Sequence, residues 1–400
     1  MGKTAAQKTT SGGKRDGDIS KNFILNNFNI YKNIILYGPP GTGKTLYTKE
    51  LSTIIATKNI VTDLKQQYRD LVNSNQIVFT TFHQSYAYEE FMEGIKPIVN
   101  GSNVEYQVRD GIFKRQSIIA LANYLGISDV QVSNVTKTID ELFSPENNQH
   151  YIELKKKIKA KIKTKINTTK KKANHKNYVL IIDEINRGNI SQIFGELITL
   201  IEGDKRYGEP NMISVTLPYS GETFVVPPNL WIIGTMNTAD RSAESLDTAL
   251  RRRFIFIEMP PVYKDLVTIS NVNLAEMLKR INDRIFLLKG KDYEIGHGYF
   301  TGLTQSNSIE DIHNIITYSI LPLLEEYFYN DYKKIRYVLG NAFAINMFST
   351  GDREFEEPLN GNWGSDWDGD NISNSDEFIE VVRPLSEEQV IKGIISKETS

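Results

Sequence analysis

The stretch "NIILYGPPGTGKT", Asn33 to Thr45, decides the fold of this 400-residue chain. An apolar run typical of a buried parallel strand leads directly into the pattern G-x-x-x-x-G-K-[ST], and a helical pattern follows. Glycines in such a loop let backbone N–H groups close around phosphate oxygens, while the lysine reaches the β- and γ-oxygens and the final hydroxyl binds magnesium. The spacing therefore predicts a P-loop formed by Gly38, Pro39, Pro40, Gly41, Thr42, Gly43, Lys44 and Thr45.

Two further apolar runs end in residues suited to the same site. "YVLIIDE", residues 178–184, predicts a strand that presents Asp183 to a magnesium ion and Glu184 to an attacking water. Adjacent carboxylates at a strand end also suit a helix cap, but the P-loop favours the catalytic interpretation. "LWIIGTMN", residues 230–237, predicts a strand beside it, which would place Asn237 near the γ-phosphate.

Helical patterns separate the predicted strands, for example at residues 45–57 and 189–202. The connections are therefore of βαβ type, and the sheet is mostly parallel. One α/β core is predicted over residues 21–260. It follows a small, polar leader, residues 1–20, that is expected to be disordered.

A smaller α-helical domain is predicted over residues 261–350. Apolar residues recur there at spacings of four and three, as on one helix face: Leu274, Leu278, Ile281, Ile285 and Leu288. A second helical pattern begins after Ser308 as its N-cap and meets Pro322. The last segment, residues 351–400, is acidic. Its spacing at residues 366–377 resembles a calcium loop, but Asn371 stands where that loop requires glycine, so an acidic loop is predicted.

Composition and charge limit the function classes. The chain has no cysteine, which excludes a disulfide framework and a thiolate site and fits the cytoplasm. No apolar run approaches the roughly 18 residues of a membrane helix, so no membrane association is expected. Residues 154–177 are dense in lysine and contain no acid. They are interpreted as a solvated insert between strands, with a surface that contacts DNA phosphates as the alternative.

The stretch "GTMNTADRSAESLDTALRRRF", Gly234 to Phe254, carries an amide, a carboxylate and an arginine cluster after one strand. Asn237 and Asp240 lie three residues apart across a turn, a spacing that allows both to hold one water. The alternative is an Asx-type turn that only caps the next segment. The closing arginines suit charge neutralisation at the nucleotide of a neighbouring subunit, which implies a ring.

These motifs resemble the GTPase subunit of McrB-type restriction systems, AAA+ proteins that act against modified cytosine. The resemblance also rests on "FTTFHQSYAYEEFMEGIKP" (residues 79–97), "LIIDEINRGNISQIFGELITLIE" (residues 180–202) and "YEIGHGYF" (residues 293–300). It implies a P-loop AAA+ core followed by an α-helical lid, hydrolysis of GTP with Mg²⁺, and a homo-oligomeric ring, a hexamer. It further implies a motor that translocates DNA for a separate McrC-like endonuclease subunit.

The resemblance implies a role for each matching residue. Lys44 and Thr45 bind phosphate and magnesium, and Asp183 completes the magnesium shell. The residues expected to act in catalysis are Glu184 for water activation, Asn237 and Asp240 for fixing the nucleophile, and Arg187, Arg252 and Arg253 for charge compensation across a subunit boundary. Family members that read modified cytosine carry a DNA-binding domain before the motor. Few residues precede the first strand here, so the chain is expected to be either a truncated form or a short form that relies on partners, and target recognition stays open.

Two other functions remain. A MoxR-like AAA+ ATPase that remodels protein complexes would share the P-loop, the strand-end carboxylates and Asn237. A non-catalytic, nucleotide-gated scaffold would lack Glu184 or Asn237, and both are present. The chain shows no nuclease motif, so DNA cleavage is expected from a partner.

Overall fold

The computed structural model describes residues 32–59, 63–100, 103–127, 148–164, 175–240, 248–270 and 272–339. The predicted leader and the acidic segment with its calcium-like spacing lie outside these residues. The internal contacts divide the chain into two compact units. The first is Met1–Gly38 with Lys44–Met259, and the second is Pro39–Gly43 with Pro260–Ser400.

A parallel sheet organises the first unit. The strands of the described residues are β1 (Asn33–Gly38), β2 (Ile77–Thr81), β3 (Glu93–Asn100), β4 (Asn103–Asp110), β5 (Tyr178–Asp183), β6 (Val215–Thr216), β7 (Thr223–Phe224), β8 (Leu230–Asn237), β9 (Ile255–Glu258), β10 (Thr268–Ile269) and β11 (Val272–Asn273). Five of these form the sheet, in the order β2-β5-β8-β1-β9 with every neighbouring pair parallel. The predicted α/β fold with a mostly parallel sheet is confirmed, and β8 does lie beside β5.

The sheet is buried on both faces because its central strands are apolar at successive positions. Neighbouring residues of one strand enter different cores: Ile35 and Leu180 lie in one, and Ile34 and Val179 lie in the other. Trp231, at the start of β8, is buried in the second core. Because both faces are buried, these strands appear in the sequence as continuous apolar runs and do not alternate between apolar and polar residues.

Helices and short turns connect the strands. The helices of the first unit are α1 (Lys44–Thr57), α2 (Leu64–Asn73), α3 (Tyr88–Phe91), α4 (Ile112–Tyr124), α5 (Asn148–Thr164), α6 (Ile190–Phe194), α7 (Leu197–Leu200) and α8 (Thr248–Arg251). The helical pattern at residues 189–202 is interrupted. Gly195 adopts a left-handed φ of 51° between α6 and α7, and its N–H bonds back to the Ser191 carbonyl. This is a glycine helix end, which periodicity alone does not reveal.

The second unit contains the predicted helical domain. Its helices are α9 (Leu274–Lys289), α10 (Ile309–Ile315), α11 (Leu321–Phe328) and α12 (Tyr332–Leu339). The predicted face of α9 is buried from Leu274 to Ile285, and Ser308 caps α10 through a reciprocal bond with Asp311. Pro322 does not stop the helix. A π-helical turn, Ile316–Ile320, precedes it, and proline is tolerated in the first turn of the helix that follows.

The β3-β4 hairpin presents an apolar face. In its register Ile95 pairs with Val108 and Pro97 with Tyr106, so these four side chains share one side. Ile95, Tyr106 and Val108 are exposed, Tyr106 at 72%. Among the described residues, no helix is long and apolar enough to cross a membrane.

A buried ion cluster anchors this hairpin. Lys114 of α4 is 1% exposed, and its Nζ lies 2.6 Å from Glu93, 2.5 Å from Asp110 and 3.0 Å from Glu222. Burial by itself lowers the pKa of Lys114, but these carboxylates raise it above the ordinary value. The Lys155 ammonium of α5 joins the same cluster, 2.7 Å from Glu222.

The lysine-rich helix α5 uses part of its charge internally. Lys155 and Lys159 pair with Glu222, and Lys157 pairs with Glu153 one turn earlier. Each of these ammonium groups already has a carboxylate partner, and a DNA phosphate would have to compete with it. The described part of the lysine-rich segment therefore supports the interpretation as an insert packed on the core.

Replacing Lys114 by methionine should destabilise the fold strongly. The change leaves Glu93 buried without its cation and Asp110 with Lys155 alone, which costs about 3 to 5 kcal/mol. Lys157→Met is the matched control, because its exposed pair with Glu153 contributes less than about 1 kcal/mol. Urea unfolding of both variants gives the two free energies. Equal losses would show that the cluster is not a stabilising core.

Candidate functional site

The carboxyl ends of β1, β5 and β8 meet at one edge of the sheet. Gly38, the last residue of β1, is in register with Asn237, the last residue of β8. On the other side of β8, Ile182 is in register with Gly234, so Asp183 ends its strand at the level of Thr235. Three segments singled out from the sequence therefore end at the same place, as in parallel sheets that bind ligands at this edge.

Lys44 lies at this edge, at the start of α1. Its side chain is buried, and its Nζ donates to the Gly38 carbonyl at 2.9 Å. Burial lowers the pKa of Lys44 to about 8, and the carboxylates of Glu184, Asp240 and Asp183 counteract that shift. The ammonium group is thus poorly hydrated and lies near three carboxylates. The phosphates of a bound nucleotide would add further negative charge around it.

Thr45 and Asp183 provide two adjacent oxygen donors. The Thr45 hydroxyl lies 3.3 Å from Asp183 Oδ1. Mg²⁺ prefers oxygen ligands and is usually held by one or two protein groups together with phosphates and waters, so this pair fits it. No group of three or more His, Cys, Asp or Glu side chains that could hold a metal occurs in the described ranges. A magnesium ion at Thr45 and Asp183 would need ligands from the nucleotide.

Thr235 organises the two carboxylates and was not predicted. Its hydroxyl donates to Asp183 Oδ1 at 2.5 Å and accepts the N–H of Glu184 at 3.0 Å. Glu184 adopts a left-handed conformation with φ 54°, which is rare for a residue other than glycine. Strain of this kind persists where surrounding contacts fix the backbone, often at functional sites. The sequence signal that was available for Thr235 is its position two residues before Asn237, which puts both side chains on the same face of the strand.

Asn237, Glu184, Arg187 and Asp240 form one connected network. The Asn237 amide donates to Glu184 Oε1 at 2.7 Å. Arg187 then links Glu184 to Asp240, at 3.3 Å and 2.8 Å. Burial raises the pKa of Glu184; Asp240 and Asp183 act in the same direction, while Arg187 opposes them. A carboxylate with a raised pKa is suited to accept a proton from water.

The predicted arginines fall into different environments. Arg187 is occupied by the two carboxylates of that network, and Arg253 lies 2.8 Å from Glu202. The backbone carbonyl of Arg253 also accepts a hydrogen bond from Asn33, which fixes this segment to β1. Arg252 is exposed. The structure thus brings Arg187 to the network and leaves the Arg252 side chain open to solvent.

A buried arginine supports the opposite end of the sheet and was missed. Arg206 is fully buried and donates to the carbonyls of Ile201 and Leu230 and, at 2.8 Å, to the side chain of Asn33. Burial lowers its pKa to about 9. Asn33 therefore connects this arginine with the backbone of Arg253. No sequence motif announces the arrangement, because its acceptors are mainly backbone carbonyls.

The remaining loop residues, Pro39–Gly43, belong to the second unit. The Thr42 hydroxyl donates to the Pro39 carbonyl at 3.0 Å. The next two carbonyls accept N–H groups from the segment that follows α9. That segment is the predicted motif "YEIGHGYF", whose contact with the loop was not anticipated.

Two family models match the chain. The model of the AAA domain, dynein-related subfamily, matches residues 33–254, and that of the alpha-helical lid domain of McrB matches residues 273–336. The chain is 36% identical over 344 residues to the type IV methyl-directed restriction enzyme EcoKMcrB subunit of Escherichia coli (strain K12), covering 80% of this chain and 60% of that protein. It is 28% identical over 259 residues to the type II restriction enzyme BsuMI component YdiS of Bacillus subtilis (strain 168), covering 61% of each. The chain thus spans about three fifths of the length of these relatives.

Asn237→Ala and Asp240→Ala should each slow hydrolysis of a bound nucleoside triphosphate by about a hundredfold while affinity changes little, because both side chains orient groups around Glu184. Turnover, nucleotide affinity and melting temperature are measured for each variant. Asn189→Ala is the control, since Asn189 caps α6 through the Gln192 N–H and its loss should cost about 1 kcal/mol with hydrolysis intact. If Asn237→Ala behaved like this control, Asn237 would be a turn cap only.

Proposed function

This chain belongs to the AAA proteins of the dynein-related subfamily, of McrB type, and from that premise we propose that it is a GTP-hydrolysing motor of a McrBC-like, modification-dependent restriction system. The observation that carries the proposal is the network of Asn237, Glu184, Arg187 and Asp240 beside the P-loop lysine. A scaffold that binds nucleotide without hydrolysing it does not require a carboxylate that is positioned to accept a proton from water.

In the proposed reaction the P-loop binds the nucleotide phosphates, with Lys44 neutralising charge on the β- and γ-oxygens. Thr45 and Asp183 would hold Mg²⁺, which when bound offsets negative charge on those oxygens. Glu184 accepts a proton from the attacking water, and Asn237 keeps the carboxylate in place through its 2.7 Å hydrogen bond. Arg187 bridges Glu184 and Asp240 and so keeps the two carboxylates beside each other.

The choice of GTP, the DNA substrate and the partner come from the McrB resemblance. The two relatives are named as a subunit and as a component of restriction enzymes, which supports a motor that works with a separate, McrC-like endonuclease subunit on DNA. The match to the McrB lid domain favours this function over protein remodelling by a MoxR-like ATPase. The system would act in the cytoplasm, where invading DNA is met.

A ring, hexameric by resemblance, is proposed because, among the described residues, two of the arginines predicted for charge compensation already pair with carboxylates of the same chain. Arg187 is engaged with Glu184 and Asp240, and Arg253 with Glu202. Arg252 is exposed and follows α8 directly, so it is the proposed finger for a neighbour's nucleotide. A finger that reaches into the next subunit requires a head-to-tail interface, and such an interface forms a ring when the rotation between subunits closes.

Glu184→Gln should bind GTP like the wild type but lose nearly all hydrolysis, because the amide has the same shape and its oxygen can still accept from Asn237, but it cannot accept the proton. Phosphate release is measured with GTP and ATP side by side. Glu276→Gln, which removes only an exposed helix pair with Arg280, is the control and should turn over normally. Wild-type turnover of ATP alone would overturn the GTPase proposal, and full turnover by Glu184→Gln would remove the base assignment.

The Arg252→Ala protein should not hydrolyse GTP when it is assayed by itself. Hydrolysis should return when this protein is mixed with the Glu184→Gln protein. In the mixed ring, an intact Glu184 of one subunit meets an intact Arg252 of its neighbour. Arg251→Ala is the control, since Arg251 stacks over Phe256 of the same chain. Light scattering with a non-hydrolysable GTP analogue checks that rings form. An inactive mixture of assembled variants would mean that Arg252 does not act in trans.

A further inference from the structure

Backbone N–H groups of the lid sequence donate hydrogen bonds to carbonyl groups of the P-loop. Within the second unit, the Gly296 N–H donates to the Pro40 carbonyl at 2.9 Å, and the Gly298 N–H donates to the Gly41 carbonyl at 2.7 Å. Both donors lie in the short segment Ile295–Phe300 after α9. Two successive carbonyls of the loop therefore point toward this segment.

Peptide geometry converts this contact into an orientation of the loop's donors. No cis peptide bond occurs among the described residues, and in a trans peptide the C=O and the following N–H point in opposite directions. The N–H groups of Gly41 and Thr42 must then face away from the lid segment. Gly41 and Gly43 both have left-handed φ, 76° and 79°, so successive N–H groups can form an anion-binding concavity.

The contact leaves no room for side chains on the lid segment. A Cβ on Gly296 would lie 2.0 Å from the carbonyl carbon of Gly41, and one on Gly298 would lie 2.6 Å from its oxygen. Gly296 has φ −71°, which any residue adopts. Glycine is required at position 296 by the closeness of the loop, and not by backbone conformation.

The lid helix fixes the segment in turn. Asn282 of α9 accepts the Ile295 N–H at 2.6 Å and donates to the Ile295 carbonyl at 2.9 Å. Both residues are buried. The connection from α9 through Ile295 to the loop therefore consists of direct hydrogen bonds with little freedom.

We infer that Gly296 and Gly298 are positioning residues of the nucleotide site, which hold the P-loop carbonyls away from the phosphates and the N–H groups of Gly41 and Thr42 toward them. The inference rests on the proposed nucleotide binding. It adds that the lid sequence sets the shape of the phosphate-binding loop, so a displaced lid segment releases the loop. Carbonyl dipoles that turn toward a phosphate would repel it.

Gly296→Ala tests this directly. The new methyl group pushes the Gly41 peptide away, and loss of one or two hydrogen bonds to a charged phosphate should raise the KM and Kd for GTP by about ten- to a hundredfold. The kcat at saturating GTP should change much less, because Glu184, Asn237 and Asp240 are untouched. Gly298→Ala, with its milder contact, should show a smaller rise. Gly302→Ala is the matched control, since nothing lies within 4 Å of its added Cβ.

Melting temperatures without nucleotide show whether each variant is folded. A folded Gly296→Ala or Gly298→Ala protein that binds GTP like the wild type would overturn the positioning role and leave the proposed function intact. If Gly296→Ala does not fold, the result for Gly298→Ala decides. Wild-type protein that binds neither GTP nor ATP would overturn the proposed function, and the positioning role with it.

Discussion

Parallel pairing of β5 with β8 is the constraint on which the rest of the site depends. The pairing places Asp183 at the level of Thr235 and brings Asn237 within hydrogen-bonding distance of Glu184. A shift of the register by one residue would turn every side chain of β8 to the other face. Both cores prevent that shift, because each contains alternate residues of these strands. Packing of apolar side chains thus fixes the positions of the polar groups at the ends of these strands.

Charge at this edge is balanced by few groups. Three carboxylates, Asp183, Glu184 and Asp240, surround a buried lysine and Arg187. Burial works against the charged forms of two of these groups, raising the pKa of Glu184 and lowering that of Lys44. Such an arrangement gains most from a ligand that carries both anionic phosphates and a divalent cation. The left-handed backbone at Glu184 shows that the chain accepts local strain to keep its carboxylate there.

The sequence was sufficient for the parallel core, the P-loop, the strand-end carboxylates and the helical lid, because each has a short-range signal: apolar runs, glycine spacing or a period near 3.6. It was insufficient for Thr235, Asn33 and Arg206, whose roles depend on partners many residues away in the chain. It also failed at Gly195, where local backbone geometry outweighed periodicity. The environments of Arg252 and Arg253 differ because only one of two neighbouring side chains meets Glu202, which spacing does not encode.

The β3-β4 hairpin has an exposed apolar face, and the outer edge of its strand β3 lacks one backbone donor. The Gly111 N–H donates to the Met92 carbonyl, so Met92 and Gly111 form a hydrogen-bonded pair of the antiparallel ladder. Hydrogen-bonded pairs alternate along the ladder with pairs that are not hydrogen-bonded. Pro97 and Tyr106 form a pair of the second kind, so their backbone groups point away from the partner strand. Pro97 has no N–H to offer at that outer edge. A strand from another molecule cannot pair continuously along the outer edge of β3, although Ile95 and Tyr106 remain open to solvent. On that edge, a missing donor interrupts edge-to-edge pairing.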